Sequence, residues 1–101
     1  MGIAHNDLVD LIYARLAKSH TNISKNVPYA LGELDVLVIE GHRAIAVEVK
    51  TTDRKKSRHK AYHQLLQASE HYYPVTKKQF YGFYCYWTDK QRTEYRIERL
   101  I

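Results

Sequence analysis

Apolar residues recur every three or four positions in two segments of the chain. The first segment predicts an amphipathic helix over residues 4–18, and the second predicts a helix over residues 57–73. We expect Pro74 to end the second helix, because proline lacks the backbone N–H that a helix interior requires. The predicted buried stripes consist of Ala4, Leu8, Leu11, Ile12 and Leu16 in the first helix, and of Tyr62, Leu65, Leu66, Ser69 and Tyr73 in the second.

Runs of β-branched and aromatic residues between and after the helices predict strands. They lie near residues 23–27, at about 33–40 and 43–50, at 79–87, and within 93–101. The fourth run is almost wholly aromatic and is expected in the centre of a sheet, whereas the fifth alternates apolar and charged residues. The order α-β-β-β-α-β-β predicts an α/β fold, a single domain over residues 1–101 with a mixed sheet flanked by helices.

The second and third predicted strands flank a two-residue loop, Gly41-His42. A loop of this length with glycine first indicates a β-hairpin. If Glu40 pairs with Arg43, the numbers of opposing residues have a constant sum, and the register of the whole hairpin is fixed.

This register brings four charged residues together. Asp35 lies opposite Glu48 and Glu33 lies opposite Lys50, with all four side chains expected on one face of the sheet. Opposed side chains have Cβ atoms roughly 5 Å apart, so two carboxylates there destabilise the pair unless something neutralises them. A divalent cation bound by both acids would do so. The alternative is a surface Glu33–Lys50 ion pair beside two tolerated acids.

Two small residues, Ala44 and Ala46, precede Glu48 on the same face of the third strand. They leave room above that face, which suits either a groove for substrate or a closely packed helix. The sequence does not distinguish these two arrangements.

Composition narrows the class of protein. With 45% hydrophobic and 27% charged residues among 101, the chain is expected to form one globular domain. It has no apolar run long enough to span a bilayer and no secretory leader, so we expect a cytoplasmic protein that does not bind membranes. The single cysteine, Cys85, excludes an intramolecular disulfide and a zinc ribbon, and it is expected to be a buried apolar residue.

The net charge of +5 favours a polyanionic partner. Much of it follows the third strand directly, where a solvated loop is one interpretation and binding of a nucleic-acid backbone is the other. The basic residues concerned are Arg54, Lys55, Lys56, Arg58 and Lys60.

Asp35, followed after twelve residues by Glu48-Val49-Lys50, resembles the PD-(D/E)XK nuclease superfamily. The wider strings over residues 31–37 and 47–51 are similar to small archaeal Holliday junction resolvases and to a related bacterial family of predicted endonucleases. By element order the resemblance covers about residues 4–72.

The resemblance implies a restriction-endonuclease-like fold and a Mg²⁺-dependent DNA endonuclease, with Mn²⁺ as a substitute metal. Asp35, Glu48 and the carbonyl of Val49 would bind the metal, and Lys50 would hold or polarise the attacking water. Such sites hydrolyse phosphodiester bonds because the cation withdraws charge from the phosphate and acidifies a bound water. Glu33 and Gln64 are expected to support this site. A resolvase-like enzyme would act on branched DNA as a homodimer.

The sequence departs from the resolvase pattern in the first helix. Where those proteins carry a metal-directed glutamate, this chain has His5. We expect His5 either to contact the metal or a water, or to be a packed histidine, and Asp7 is a weaker substitute for the glutamate. The departure motivates an alternative function, a weakly active or inactive nuclease-fold module that binds DNA beside a partner. An RNA-directed nuclease shares the same phosphate chemistry.

Overall fold

The computed structural model describes residues 3–29, 32–76 and 79–101, with the backbone alone described at residues 3 and 72–76. The elements follow the predicted order α-β-β-β-α-β-β and form a single α/β domain. They are α1 (Ile3–Ala17), β1 (Ile23–Tyr29), β2 (Gly32–Glu40), β3 (Arg43–Lys50), α2 (Lys55–Thr76), β4 (Gln79–Trp87) and β5 (Tyr95–Arg99). Among the described residues, no helix has the length and apolarity needed to cross a membrane.

The five strands form one mixed sheet in the spatial order β1-β2-β3-β4-β5. Neighbours are antiparallel except β3 and β4, which run parallel and are connected by α2. The aromatic strand β4 is therefore internal, as predicted, and β5 is an edge strand. Because β3 and β4 are parallel, their carboxyl ends lie side by side, at the same end of the strands.

The two helices cover opposite faces of the sheet. Buried residues of α1 pack on one face, and buried residues of α2 pack on the other. Ala44 and Ala46 lie under α2, so the room above them is filled by a helix. On the α1 side, Cys85 is fully buried as expected, and burial raises the pKa of its thiol to about 12. A thiol with that pKa remains protonated and is a poor nucleophile near neutral pH.

Two expectations for α2 are wrong. The helix continues past Pro74 to Thr76, which is possible because a proline near a helix end removes only one N–H from the hydrogen-bond ladder. Tyr62, expected in the buried stripe, is 40% exposed. The fully buried positions include Ala61, which packs against tyrosines of β4, and Ala68, which packs in one cluster with the alanines of β3.

The hairpin prediction is confirmed. Glu40 pairs with Arg43 across the β2–β3 turn, and the register continues to Val36 opposite Val47. Gly41 has a φ of 56°, a left-handed value that glycine adopts without steric cost. An ion pair of 2.8 Å between Arg43 and Glu40 adds to the closure of the turn.

We expect Gly82→Ala to lower the free energy of unfolding by about 1–3 kcal/mol, the usual cost of overpacking a core. A Cβ at Gly82 would lie 2.7 Å from Cγ1 of Ile101 and 3.1 Å from Cβ of Leu65. Urea denaturation, monitored by circular dichroism, measures the change in the free energy of unfolding. Gly32→Ala is the matched control, since its closest neighbour, at 3.2 Å, is the hydroxyl tip of Tyr29. An equal effect of the two substitutions would contradict this explanation.

Candidate active site

Asp35 and Glu48 lie together at the end of the β2–β3 hairpin. Both are buried, with 7% and 2% of their surfaces exposed. The backbone N–H of Asp35 donates a 3.3 Å hydrogen bond to Oε1 of Glu48, and the N–H of Val49 donates a 2.8 Å bond to Oδ2 of Asp35. The hairpin thus holds two acids inside the protein by reciprocal contacts between side chain and backbone.

A local distortion of the sheet positions Asp35. The β1–β2 pairs on either side of it are regular, but Asn26 and Asp35 themselves are skipped, and Asn26 has a φ of 55°. Asparagine is among the few residues that tolerate this conformation. The alternation of faces breaks here, because Leu34 packs beneath α2 whereas Val36 packs beneath α1. The hydrophobic pattern does not predict this distortion, although an asparagine within a strand is a signal of it.

The expectation that four charged side chains share one face is therefore wrong. Glu33 is exposed, and the ion pairs formed among the described residues do not include one between Glu33 and Lys50. Loss of regular pairing at Asp35 explains the difference, because the alternation that predicted the shared face does not continue through it. The surface ion pair that was the alternative explanation of these charges is not formed either.

Lys50 is held by the second helix. Its Nζ donates a 3.0 Å hydrogen bond to Oε1 of Gln64, so the glutamine predicted to support the site does contact the predicted catalytic lysine. The hydroxyl of Tyr29 donates to the backbone carbonyl of Gln64 at 3.2 Å and so links β1 to this part of α2. Lys50 is partly exposed. Its ammonium group is thus oriented by the protein and still accessible to a ligand.

His5 reaches the site from the first helix. Its Nε2 lies 3.3 Å from Oδ1 of Asp35, and only 15% of its side chain is exposed. Trp87 donates from Nε1 to the carbonyl of Ala4 at 3.1 Å and so fixes the start of α1 next to His5. Asp7, the weaker candidate, is exposed. No local pattern in the sequence signals the Trp87 contact, because it joins residues 83 positions apart.

Burial dominates the electrostatics of Glu48. Removal from water raises the pKa of its carboxyl to about 8, and the charge of Asp35 acts in the same direction. Lys50 and the N–H of Asp35 lower the pKa, but they do not offset burial. Near neutral pH the acid therefore favours its protonated form unless additional positive charge is supplied.

The donor atoms of this pair fit a hard divalent cation. Mg²⁺ prefers one or two carboxylates and completes its shell with water and phosphate oxygens. Oε2 of Glu48 has no hydrogen-bond partner among the described residues, and Asp35 presents Oδ1 towards His5. Within the described segments no set of three or more His, Cys, Asp or Glu side chains is placed to bind a metal. An ion at Asp35 and Glu48 would take its other ligands from the backbone, water or substrate.

The basic residues after β3 divide into two groups. Arg54, Lys55, Lys56 and Lys60 are exposed. The three lysines, with His59 and His63, border a shallow surface depression of about 600 Å³ on α2.

Arg58 differs from its basic neighbours because it is engaged within the protein. It pairs with Glu98 of β5 and lies 3.5 Å from Oδ2 of Asp53, with its guanidinium 5.2 Å from the centre of the Tyr84 ring. Tyr84 also donates to the carbonyl of Thr52 at 3.1 Å. These contacts attach the segment after Lys50 to β4 and β5, so the structure gives Arg58 a supporting role in the fold.

Comparison of the chain with family models, with curated proteins and with solved structures found no match.

Proposed function

We propose that this protein is a Mg²⁺-dependent DNA endonuclease with a restriction-endonuclease-like fold. The observation that carries the proposal is the buried Asp35–Glu48 pair with Lys50 beside it. Burial raises the pKa of Glu48, so both acids are ionised together near neutral pH only when a positive charge is supplied, and a bound divalent cation would supply it. A metal-dependent phosphodiesterase needs such a pair.

Each residue of the site has a role that its contacts support. Bound by Asp35 and Glu48, the cation would withdraw charge from the phosphate and lower the pKa of a water ligand. Lys50, oriented by Gln64, is placed to hold the attacking water and to stabilise the negative charge that develops on the phosphate. His5 orients the carboxylate of Asp35 through Oδ1. Val49 contributes its N–H to Asp35, and its carbonyl remains a proposed metal ligand.

The exposed basic residues of α2 support a DNA substrate. A net charge of +5 with several lysines at the start of one helix favours contact with phosphates. The helix starts at Lys55, five residues after Lys50, so these basic residues lie close to the proposed catalytic lysine along the chain.

Lys56→Ala and Arg58→Ala are expected to behave differently. Loss of the exposed Lys56 should weaken DNA binding and reduce the slope of log K against log salt concentration by about 1, the value for one phosphate contact. Loss of Arg58 should mainly lower thermal stability, because Arg58 pairs with Glu98 and Asp53. Fluorescence anisotropy at several salt concentrations and thermal denaturation measure the two effects. Equal salt slopes for Lys56→Ala and the unsubstituted protein would contradict the assignment of Lys56.

A homodimer is part of the proposal. The domain measures 40 × 30 × 20 Å, so one copy spans little more than one helical turn of a duplex. Two-fold pairing would present two sites to two strands, as cleavage of a four-way junction requires. Sedimentation at micromolar concentration tests it: we expect a dimer in the presence of a four-way junction, and a monomer there would contradict the resolvase-like subtype.

The second candidate function is a nuclease-fold module that binds DNA without cleaving it. The observation that favours it is His5, which contacts Asp35 where resolvase-like proteins would have an acid. This candidate predicts DNA affinity that falls steeply with salt and no cleavage with any divalent metal.

A cleavage panel tests the proposed function. The labelled substrates are a four-way junction, a flap, a nicked duplex, a linear duplex and a single strand, each incubated with Mg²⁺ or Mn²⁺, together with matched RNA. We expect metal-dependent cleavage of DNA that disappears in Asp35→Ala. Asp10→Ala is the matched control, since Asp10 is exposed and pairs with Lys25 away from the site. Cleavage that persists in Asp35→Ala, or cleavage of RNA alone, would contradict the proposal.

A further inference from the structure

A cleft lies at the carboxyl ends of the two parallel strands, β3 and β4. It has a volume of about 520 Å³ and is formed by residues 51–53 after β3, by residues 86–90 at the end of β4, and by Arg96 of β5. Lys50 and Tyr86 are neighbours in the β3–β4 register, so the cleft begins one strand away from the predicted catalytic lysine. Ligand sites in α/β sheets commonly occupy this edge.

Trp87 gives the cleft a fixed aromatic wall. Its indole N–H is bound to the carbonyl of Ala4, and the residue packs partly against the α1-side core while also lining the cleft. An aromatic ring held in this way loses little conformational entropy when a flat ligand stacks on it. Any of the four nucleobases can stack on such a ring, because every base has a π-face.

The charges of the cleft favour an anionic ligand. Its two acids are engaged elsewhere: Asp53 contacts Arg58 and Tyr84, and Asp89 accepts the N–H groups of Thr93 and Glu94.

By contrast, its two cations are available. Lys90 and Arg96 are exposed and form no ion pair within the described segments. Because Asp53 pairs with Arg58, these two cations outnumber the one remaining carboxylate of the cleft, Asp89, and the lining carries a net positive charge. Hydroxyl groups of Thr51 and Thr52 add hydrogen-bonding capacity.

We infer that this cleft binds an unpaired nucleotide of the DNA substrate, with the base stacked on Trp87 and the phosphate held by Lys90 and Arg96. The inference rests on the proposed nuclease function and specifies its substrate class. Tyr86 pairs with Lys50, so Trp87 is level with Thr51, which follows Glu48 by three residues. A strand rises about 3.3 Å per residue. The stacked base would lie roughly 10 Å from the acid pair. Substrates with unpaired nucleotides near the cleavage point, such as flaps and single strands, are therefore preferred over continuous duplex.

The chain contains a single tryptophan, so fluorescence excited at wavelengths that its nine tyrosines do not absorb reports on this cleft. The experiment titrates the full chain with an eight-nucleotide oligothymidylate and with a blunt duplex hairpin, both in EDTA to prevent cleavage. We expect saturable quenching by the oligothymidylate and little by the duplex. Labelled oligothymidylate should bind about 5- to 150-fold more weakly to Trp87→Leu, the range expected for loss of one stacked base.

A surface variant keeps the test independent of folding. Lys90→Ala combined with Arg96→Ala removes two exposed cations and should weaken binding of the oligothymidylate about tenfold, with a shallower salt dependence. Lys18→Ala, an exposed lysine at the end of α1, is the control and should bind as the unsubstituted chain does.

Failure of this inference differs from failure of the proposed function. If anisotropy shows binding of the oligothymidylate while Trp87 fluorescence is unchanged, the cleft is not the binding site. Equal quenching by the blunt duplex would also overturn the inference. In both cases metal-dependent cleavage that is lost in Asp35→Ala would leave the nuclease proposal intact. Absence of any DNA binding together with absence of cleavage would overturn both.

Discussion

Glu48→Gln is expected to reduce cleavage by at least about 10³-fold. A metal ion contributes several kcal/mol to stabilising a phosphoryl transition state, and each 1.36 kcal/mol corresponds to tenfold in rate. Glutamine is nearly isosteric and can still accept the hydrogen bond from the N–H of Asp35, so the fold should be retained. Single-turnover cleavage with saturating Mg²⁺ measures the effect. Calorimetric titration with Mn²⁺ should show weakened metal binding in the same variant.

The same substitution should stabilise the metal-free protein, and more so at higher pH. The pKa of Glu48 is raised to about 8 in the folded protein, above its ordinary value of 4.5. Its contribution to stability is therefore fully present below about pH 4.5 and is lost as the pH rises through 8. Glutamine does not ionise, so the free energy of unfolding of Glu48→Gln should exceed that of the unsubstituted protein by a few kcal/mol near pH 8.

Urea denaturation in EDTA at pH 5 and pH 8 tests this pair of effects. The informative quantity is the difference between variant and unsubstituted protein, because other titrating groups cancel in it. Glu40→Gln is a matched control, since Glu40 is a partly exposed acid on the same hairpin and pairs with Arg43 and His20. A loss of both cleavage and stability in Glu48→Gln at pH 8 would contradict the account, because it would assign Glu48 a structural role.

Lys50→Met should reduce the cleavage rate by about 10²–10³-fold while leaving Mn²⁺ binding nearly unchanged. The ammonium group is expected to act on the water and on the charge that develops in the transition state, and loss of one such group has this size of effect. Methionine preserves most of the aliphatic length of lysine. The rate at saturating metal, measured beside a Mn²⁺ titration, separates the two quantities, and loss of metal binding in Lys50→Met would contradict this division of roles.

Gln64 should act through Lys50 and not on the substrate directly. Gln64→Leu removes the acceptor of the 3.0 Å bond from Nζ, so a smaller loss of about tenfold in kcat is expected. Gln64→Glu retains an oxygen acceptor and should recover much of that loss. If both variants lost activity equally and also lost stability, Gln64 would have only a packing role.

Much of the fold follows from local pattern. The order of the seven elements, the internal position of the aromatic strand and the hairpin register all follow from hydrophobic periodicity and a Gly-first turn. These features are local because side-chain period and turn length act over a few residues. The same register was enough to bring Asp35 and Glu48 together.

Hydrophobic periodicity and turn length do not predict contacts between segments that are distant in the chain. Periodicity does not show that Asn26 interrupts pairing opposite Asp35, and it placed Tyr62 on the wrong side of α2. It likewise does not show that Arg58 is engaged by Glu98, forty residues away. Each of these depends on how helices pack across the sheet, which is decided by the shapes of side chains remote in sequence.

The sequence by itself determined which elements form and that two acids and a lysine meet on one hairpin, because strand register is set by neighbouring residues. Only the tertiary structure decided that the acids are buried, that His5 from one helix meets Asp35, and that Gln64 from the other meets Lys50. It also decided that Trp87 and two available cations line a cleft at the carboxyl ends of β3 and β4. The physical reason is that burial and long-range contacts arise when both helices pack on the sheet. This packing sets the environment in which a carboxylate or a lysine acts.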